Sequence, residues 1–337
     1  MNKTHLSFTP CGIEVSFQTL VVDRAGKAPR EFPNTPVGHR ALLAWLRRSP
    51  LPLRVCMEAT GLYGLDLALH LTAAGLALLV ANPRAVRNFA RALMQRSKTD
   101  LLDAAVLREF AARMPFEPWP PPSPQALKLM ALAHRIQGLT RMMAAEKNRL
   151  HAASLSRAVP DLVRRDLGRS IQGLERARAR LTRAALLFIA DDPQLARRTE
   201  LLVSIPGLGV TSALALLAEL LRFGPDSDVR QWVAYAGLDP RHHRSGTSVA
   251  KKPAVSKTGN AHLRRALYMP ALVASQHEPH LRAFYQHLLQ RGKTKLQALV
   301  AVMRKLLHAI FGMFKHNSRY DGSKVYVLQS KPELLCA

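Results

Sequence analysis

The 337-residue chain is poor in cysteine: Cys11, Cys56 and Cys336 are the three it has, and no CxxC pair occurs. This excludes a disulfide scaffold and a zinc ribbon and suits a reducing compartment. No run of about 18 uninterrupted apolar residues is present, and the opening MNKTHLSFTPCGIEV lacks the apolar core of a signal peptide. A cytoplasmic protein with no membrane partner is therefore expected. No P-loop, GxGxxG, HExxH or His/Cys ligand spacing occurs, so nucleotide hydrolysis and zinc chemistry have no sequence support. Acid is scarce relative to base. Asp and Glu number 23 against 49 Lys and Arg, a formal net charge of +26, in a chain whose 48% hydrophobic content still allows a buried core. That combination points to a polyanionic partner, nucleic acid first.

Composition divides the chain. Residues 8–114 alternate short apolar runs with helical patterns. CGIEVSFQTLVV reads as a strand pair or one bent strand, LRVCME (53–58) and LALLVAN (76–82) as buried strands, and YGLDLALHLTAAG (63–75) as a helix stopped by glycine. Strand, helix, strand implies an α/β layer with a mixed sheet. PFEPWPPPSP (115–124) holds six prolines in ten positions and reads as a stiff linker. Residues 125–192 form a helical connector. Leu127, Ala131, His134, Ile136, Leu139, Met143 and Leu150 make one stripe, and Leu167, Ile171, Leu174, Leu181, Ala185 and Phe188 a second, as in an antiparallel or coiled-coil pair. Residues 193–320 are mostly helical. In the tail, 321–337, VYVL (325–328) reads as an edge strand.

Among so few carboxylates, those at strand ends stand out. Glu14 sits inside the apolar run GIEVSF, where a charge is costly unless paired or metal-bound. Glu58 follows the strand LRVCM. Asp100 and Asp103 lie three apart on one face of the helix beginning in SKTDLLDAAVL, for which Ser97 is the expected N-cap. Carboxylates from two strands and a helix can converge at a sheet edge. Oxygen-only ligation of that kind suits Mg²⁺ or Mn²⁺ and phosphodiester chemistry.

Residues 241–268, RHHRSGTSVAKKPAVSKTGNAHLRRALY, contain seven Lys/Arg and no acid. By composition such a loop grips phosphate. Ser245, Ser248 and, more weakly, Ser256 are also open as nucleophiles, and His242 and His243 read as phosphate contacts. SIPGLGVTSA (204–213) has the form of a helix–hairpin–helix turn, in which Gly207 and Gly209 let a phosphate backbone approach.

MEATGLYG (57–64), ANPRAVRNFARA (81–92) and SKTDLLDAAVL (97–107) resemble the insertion-sequence transposases that carry a DEDD, RuvC-like domain. That group, the insertion sequence 110 family, includes the pilin-gene invertases. YAGLDPRHHRSGTSVAKKPAVSKTGNAHLRRALYMPALVA (235–274) resembles the second block of the same family, in its 1111-type subgroup. The resemblance implies an RNase H-like (RuvC-like) fold for the first domain and a mostly α C-terminal transposase domain. It implies Mg²⁺ (or Mn²⁺) on Glu14, Glu58, Asp100 and Asp103, and Ser245 as a nucleophile forming a covalent link to DNA. Arg244, Lys251, Lys252, Lys257, Arg264, Arg265 and Lys98 then read as nucleic-acid contacts.

Its implied partners are donor and target double-stranded DNA, a noncoding bridge RNA, and further copies of the chain in a homodimer or homotetramer, nucleoid-associated when bound to DNA. The connector's apolar stripes would serve as the interface between copies. One position departs from the pattern: the first acid is usually Asp, and here it is Glu14. Two other readings stay open, a metal-dependent RuvC-like nuclease or resolvase with no covalent serine step, and an inactive nucleic-acid-binding copy.

Overall fold

The computed structural model describes residues 7–328 except Arg96, Lys98, Pro225 and 246–248; for 242–245 and 249–254 it describes the backbone alone. The chain forms two compact units that divide between Pro121 and Pro122, inside the proline run.

The first unit begins with β1 (Thr9–Val15), β2 (Thr19–Arg24), β3 (Arg30–Pro33), α1 (Pro36–Leu46) and β4 (Leu53–Glu58). It continues with α2 (Leu65–Ala73), β5 (Ala77–Ala81), α3 (Pro83–Ala92) and α4 (Asp100–Arg113). The strands form one mixed sheet, order β3-β2-β1-β4-β5, with β1 antiparallel to β2 and parallel to β4, and β4 parallel to β5. This is the RNase H-like arrangement. CGIEVSFQTLVV is the β1–β2 hairpin rather than one bent strand. One face of the sheet buries Ile13, Leu20, Val55, Met57 and Leu78 against α1 and α2. Cys56 and Ala81 turn to the other face, beneath Val86, Val106, Leu107 and Phe110 of α3 and α4. The alternation along each strand decides which helix it meets. The proline stretch is fastened to this unit: the Trp119 amide donates to the Leu78 carbonyl at 2.7 Å, and its ring packs on the core.

The second unit opens with α5 (Pro124–Leu155) and α6 (Asp161–Ala190), joined by a short turn into an antiparallel hairpin across which Lys147 pairs with Glu175 at 3.2 Å. The buried positions at the start of α5 are Ala126, Leu129 and Ala133, whereas Leu127 is half-buried and Ala131 exposed. The expected stripe is thus displaced by one or two residues there and correct from Ile136 to Met143. The cause lies in tertiary packing: Leu129, Ala133 and Ile136 at this end of α5 join a large core with the later helices.

Next come α7 (Pro193–Val203), α8 (Val210–Leu220), α9 (Val229–Ala236), the hairpin β6 (Pro240–Ser245) and β7 (Val249–Val255), and then α10 (Ala261–His277), α11 (Pro279–Gln290) and α12 (Lys295–His316). By length and hydropathy α12 would suffice to cross a membrane, but Val302, Leu306, Leu307 and Ile310 are buried in the core of this unit. VYVL is not a strand. After a 3₁₀ turn at Gly322–Lys324 the chain lies against α11 and α12, with the Tyr326 carbonyl 2.7 Å from His280 Nδ1 and the Val325 carbonyl accepting from Lys305 Nζ at 2.9 Å. Side chains thus satisfy carbonyls that no neighbouring strand reaches.

Candidate active site

The register of β1 and β4 pairs Ile13 with Met57, so Glu14 and Glu58 are the next residue along each of two parallel neighbours. In parallel strands, residues level with one another face the same way. The third acid comes from α4, which crosses the same face at close range. An added Cβ on Gly12 would lie 2.0 Å from the Ala104 carbonyl oxygen and 2.4 Å from the Arg108 amide nitrogen, so only glycine permits this approach. Asp103, next to Ala104, is thereby brought to the sheet.

Glu14, Glu58 and Asp103 line one cleft of about 260 Å³ with Arg87 and Arg91 of α3, Gln95 and Ser97. The two arginines are exposed and lie four residues apart, on one side of α3. The cleft therefore joins three carboxylates to two guanidiniums able to grip phosphate oxygens. Asp100 stands one turn earlier on α4, exposed, outside this lining. The helix is capped by Thr99 rather than Ser97: Thr99 Oγ1 accepts from the Leu102 amide at 3.3 Å, and Ser97 faces the cleft instead. Lys98 lies outside the described residues.

The basic loop of the second unit is a β-hairpin. Ser245 closes β6, its backbone in register with Val249, and the 246–248 connection, including Ser248, lies outside the described residues. The side chains of His242, His243, Arg244, Ser245, Lys251 and Lys252 lie outside them too. Ser256 Oγ donates to Asp239 Oδ1 at 2.6 Å. Arg264 Nη1 donates to the Ala236 and Gly259 carbonyls, both at 2.9 Å, and so braces the chain between α9 and α10. Lys257 and Arg265 are exposed. Gly207 adopts φ +86° at the α7–α8 turn, while Gly209 is exposed and caps α8.

Two family models match this chain: one described as transposase over residues 11–160, of the DEDD type, and one described as transposase of the IS116/IS110/IS902 family over residues 199–286. The pilin gene-inverting proteins of Moraxella bovis and Moraxella lacunata are each 30% identical over 294 residues, covering 86% of this chain and 89% of theirs. The chain belongs to the IS110 family of transposases. An insertion element IS110 protein of 43.6 kDa from Streptomyces coelicolor, described as uncharacterized, is 32% identical over 120 residues, 36% of this chain and 29% of its own. The DEDD match begins at Cys11, in the strand that carries Glu14, and runs through α4.

The second unit holds a cluster that linear spacing does not reveal. Glu219, near the end of the apolar helix α8, is 1% exposed. Its Oε1 lies 2.5 Å from His134 Nε2, and its Oε2 accepts from Asn260 Nδ2 at 2.6 Å and the Tyr235 hydroxyl at 3.4 Å. His262 stacks on His134 with ring centroids 3.9 Å apart. Burial, then His134, push the His262 imidazole below its ordinary range, with Arg265 and Arg141 adding to the effect and Glu219 opposing it.

His134, Glu219 and His262 present ligand atoms within 4.8 Å of one another, a group able to coordinate a divalent cation. Linear spacing lent histidine-based metal chemistry no support, and the fold brings a candidate ligand group together all the same. The three residues lie 85 and 43 positions apart, so no short motif contains them. The available signal was an acid inside SALALLAEL, the same anomaly that marks Glu14.

Proposed function

We propose that the cleft of the first unit carries out metal-dependent phosphodiester cleavage and transfer on double-stranded DNA, in the service of transposition. The observation that carries this reading is the joint lining of one cleft by Glu14, Glu58, Asp103, Arg87 and Arg91. Three carboxylates from β1, β4 and α4 form an all-oxygen donor set, which fits Mg²⁺ or Mn²⁺. The chemistry such an ion supplies is Lewis-acid neutralisation of the charge gathering on the phosphate oxygens. Arg87 and Arg91 hold the phosphodiester by charge-assisted hydrogen bonds and orient it towards the acids. Asp100, at the exposed start of α4, assists as the fourth acid once DNA covers the helix end. The name of the Moraxella relatives, pilin gene-inverting proteins, supports recombination of DNA as the outcome.

The second reading adds Ser245 as a nucleophile. Its support is the end-of-strand position of Ser245, directly after Arg244 in the sequence and with its backbone in register with β7 at Val249, and the family resemblance of that block. In this reading Ser245 Oγ forms the bond to phosphorus that the DNA oxygen gives up, and the energy of the phosphodiester is kept for rejoining. Arg244, Lys251, Lys252, Lys257, Arg265 and the Gly207–Gly209 turn bind backbone phosphates. A bridge RNA, and assembly of two or four copies through exposed apolar residues of the hairpin such as Leu155, Leu162 and Val163, belong to the same proposal.

One experiment separates the two. Labelled element DNA is incubated with the protein, the element's RNA and Mg²⁺, and resolved under denaturing conditions. Asp103→Asn should abolish all cleavage with DNA binding retained. Persistent cleavage in that variant ends the whole reading. If Ser245→Ala still cleaves and the parent leaves no label on protein, the serine step is removed and the acidic cleft acts alone.

A further inference from the structure

We propose that His134, Glu219 and His262 form a binding site for a divalent cation of the zinc class, separate from the acidic cleft, that fastens α5 to α8 and α10. Two imidazole nitrogens and one carboxylate are the donor set of zinc and its borderline neighbours. Magnesium, which demands oxygen ligands, is a poor fit.

The surroundings are those of a ligand set held by its outer partners. His262 Nδ1 lies 2.9 Å from Gln137 Oε1, which fixes the ring hydrogen on Nδ1 and leaves the Nε2 lone pair for a ligand bond. Glu219 Oε2 is occupied by Asn260 and Tyr235, and Asn260 Nδ2 also contacts the Tyr235 hydroxyl, so the carboxylate is oriented with Oε1 turned to the histidines. The rings of His134 and His262 are stacked, inclined by 22° with centroids 3.9 Å apart, so they must swing apart before in-plane lone pairs from both can meet at one ion. In a tetrahedral site with bonds of about 2.0 Å, neighbouring donors stand about 3.3 Å apart. Ion binding therefore unstacks the two rings as it opens the 2.5 Å contact of His134 with Glu219 and draws the group in from its 4.8 Å spread. The His134 side chain is 34% exposed, so an ion can enter and a water can complete the shell.

The site joins helices distant in sequence inside one unit, and its consequence is structural: the metal-bound chain is the more stable one. It is independent of the phosphodiester reading, because its test needs no DNA. Full-length protein stripped by chelation is titrated with Co²⁺, followed through its visible d–d bands, and then with Zn²⁺ by thermal unfolding.

We expect one equivalent per chain with the intense bands of low coordination number, and a higher Tm on adding Zn²⁺. His134→Gln and His262→Gln should weaken binding at least about 100-fold, and Gln137→Leu, which removes no ligand, about 10-fold. Asp103→Asn should bind as the parent does. Absence of the bands, binding as tight as the parent's in both histidine variants, or loss in Asp103→Asn overturns the proposal. If a histidine variant does not fold, Gln137→Leu decides: unchanged affinity there overturns it.

Discussion

Arg108 on α4 donates from Nη1 to both carboxylate oxygens of Asp23 on β2, at 2.9 and 2.8 Å. Asp23 is the other acid near Glu14 in sequence, and this bond commits it to holding the helix rather than to the cleft. Asp23 is 4% exposed, so removing its partner strands a buried charge. Breaking a fully buried pair costs about 3–5 kcal/mol. Arg108 is partly open to solvent, and roughly 2 kcal/mol is the discounted expectation for Arg108→Met. Urea unfolding of the variant checks this, and an unchanged midpoint would show that the pair contributes nothing. Asp23→Asn with Arg108→Met should recover part of the loss.

Glu14 tests whether the cleft needs a carboxylate or one particular length of side chain. Glu14→Asp keeps the charge and shortens the reach by one methylene. Glu14→Gln keeps the length and loses the charge. Metal-dependent cleavage should survive in the first within about tenfold and fall by about 100-fold or more in the second, the scale of losing one electrostatic catalytic contact. Equal activity of parent and Glu14→Gln in single-turnover assays would remove Glu14 from the metal set.

What the sequence disclosed, and what it did not, follows from distance along the chain. The β1–β2 pair, β4, α2 and β5 were legible because each carries its own period and its own stop signal, such as Gly75 at φ +81°. The acids at strand ends were legible as charges within or beside apolar runs. Which acids share a cleft was not, because it depends on Gly12 admitting α4, a contact 92 residues apart in sequence that no local pattern records. The short strand β3, REFP, is mostly exposed and its period is invisible. The β6–β7 hairpin was hidden by composition: its charges read as a loop, and backbone pairing overrides that. Glu219 and its histidines were missed for the same reason as Gly12, since their meeting is wholly tertiary.

Acidification should weaken the fold through His39. This residue is 6% exposed, with Nε2 2.8 Å from Asn34 Oδ1. Burial, then the neighbouring His70, lower its pKa, with Asp66 pulling the other way. The unfolded imidazole takes up a proton near pH 6.5 while the folded one resists it. The unfolded state thus binds more protons in that window, and stability rises with pH there. The contribution is intact above about pH 6.5 and is lost progressively below it. His262 and His308, lowered in the same direction, add to the slope. Urea midpoints measured from about pH 7.5 to 5.5 should fall on acidification, and His39→Gln should flatten the trend. An identical slope in the variant would place the effect elsewhere.

The two glycines of the α7–α8 turn make a matched pair in which structure and binding can be separated. Gly207 has φ +86°, and a Cβ there would lie 2.6 Å from Val273 Cγ1 and 3.3 Å from the Ala274 amide nitrogen of α10. Alanine at this position faces a left-handed backbone penalty of about 1–2 kcal/mol and an overpacking cost of about 1–3 kcal/mol. Gly209 has φ −75° and nothing within 4 Å of an added Cβ. Gly209→Ala should therefore change stability by no more than about 0.5 kcal/mol. What it does change is the approach to the exposed N-terminus of α8, where amide groups face outward and a phosphate would sit. Gly207→Ala is thus expected to lower the Tm clearly, whereas Gly209→Ala keeps the Tm and weakens binding of nonspecific duplex DNA in a salt-dependent titration. If Gly209→Ala binds duplex as tightly as the parent at every salt concentration, the turn is a packing device for α10 and not a phosphate grip.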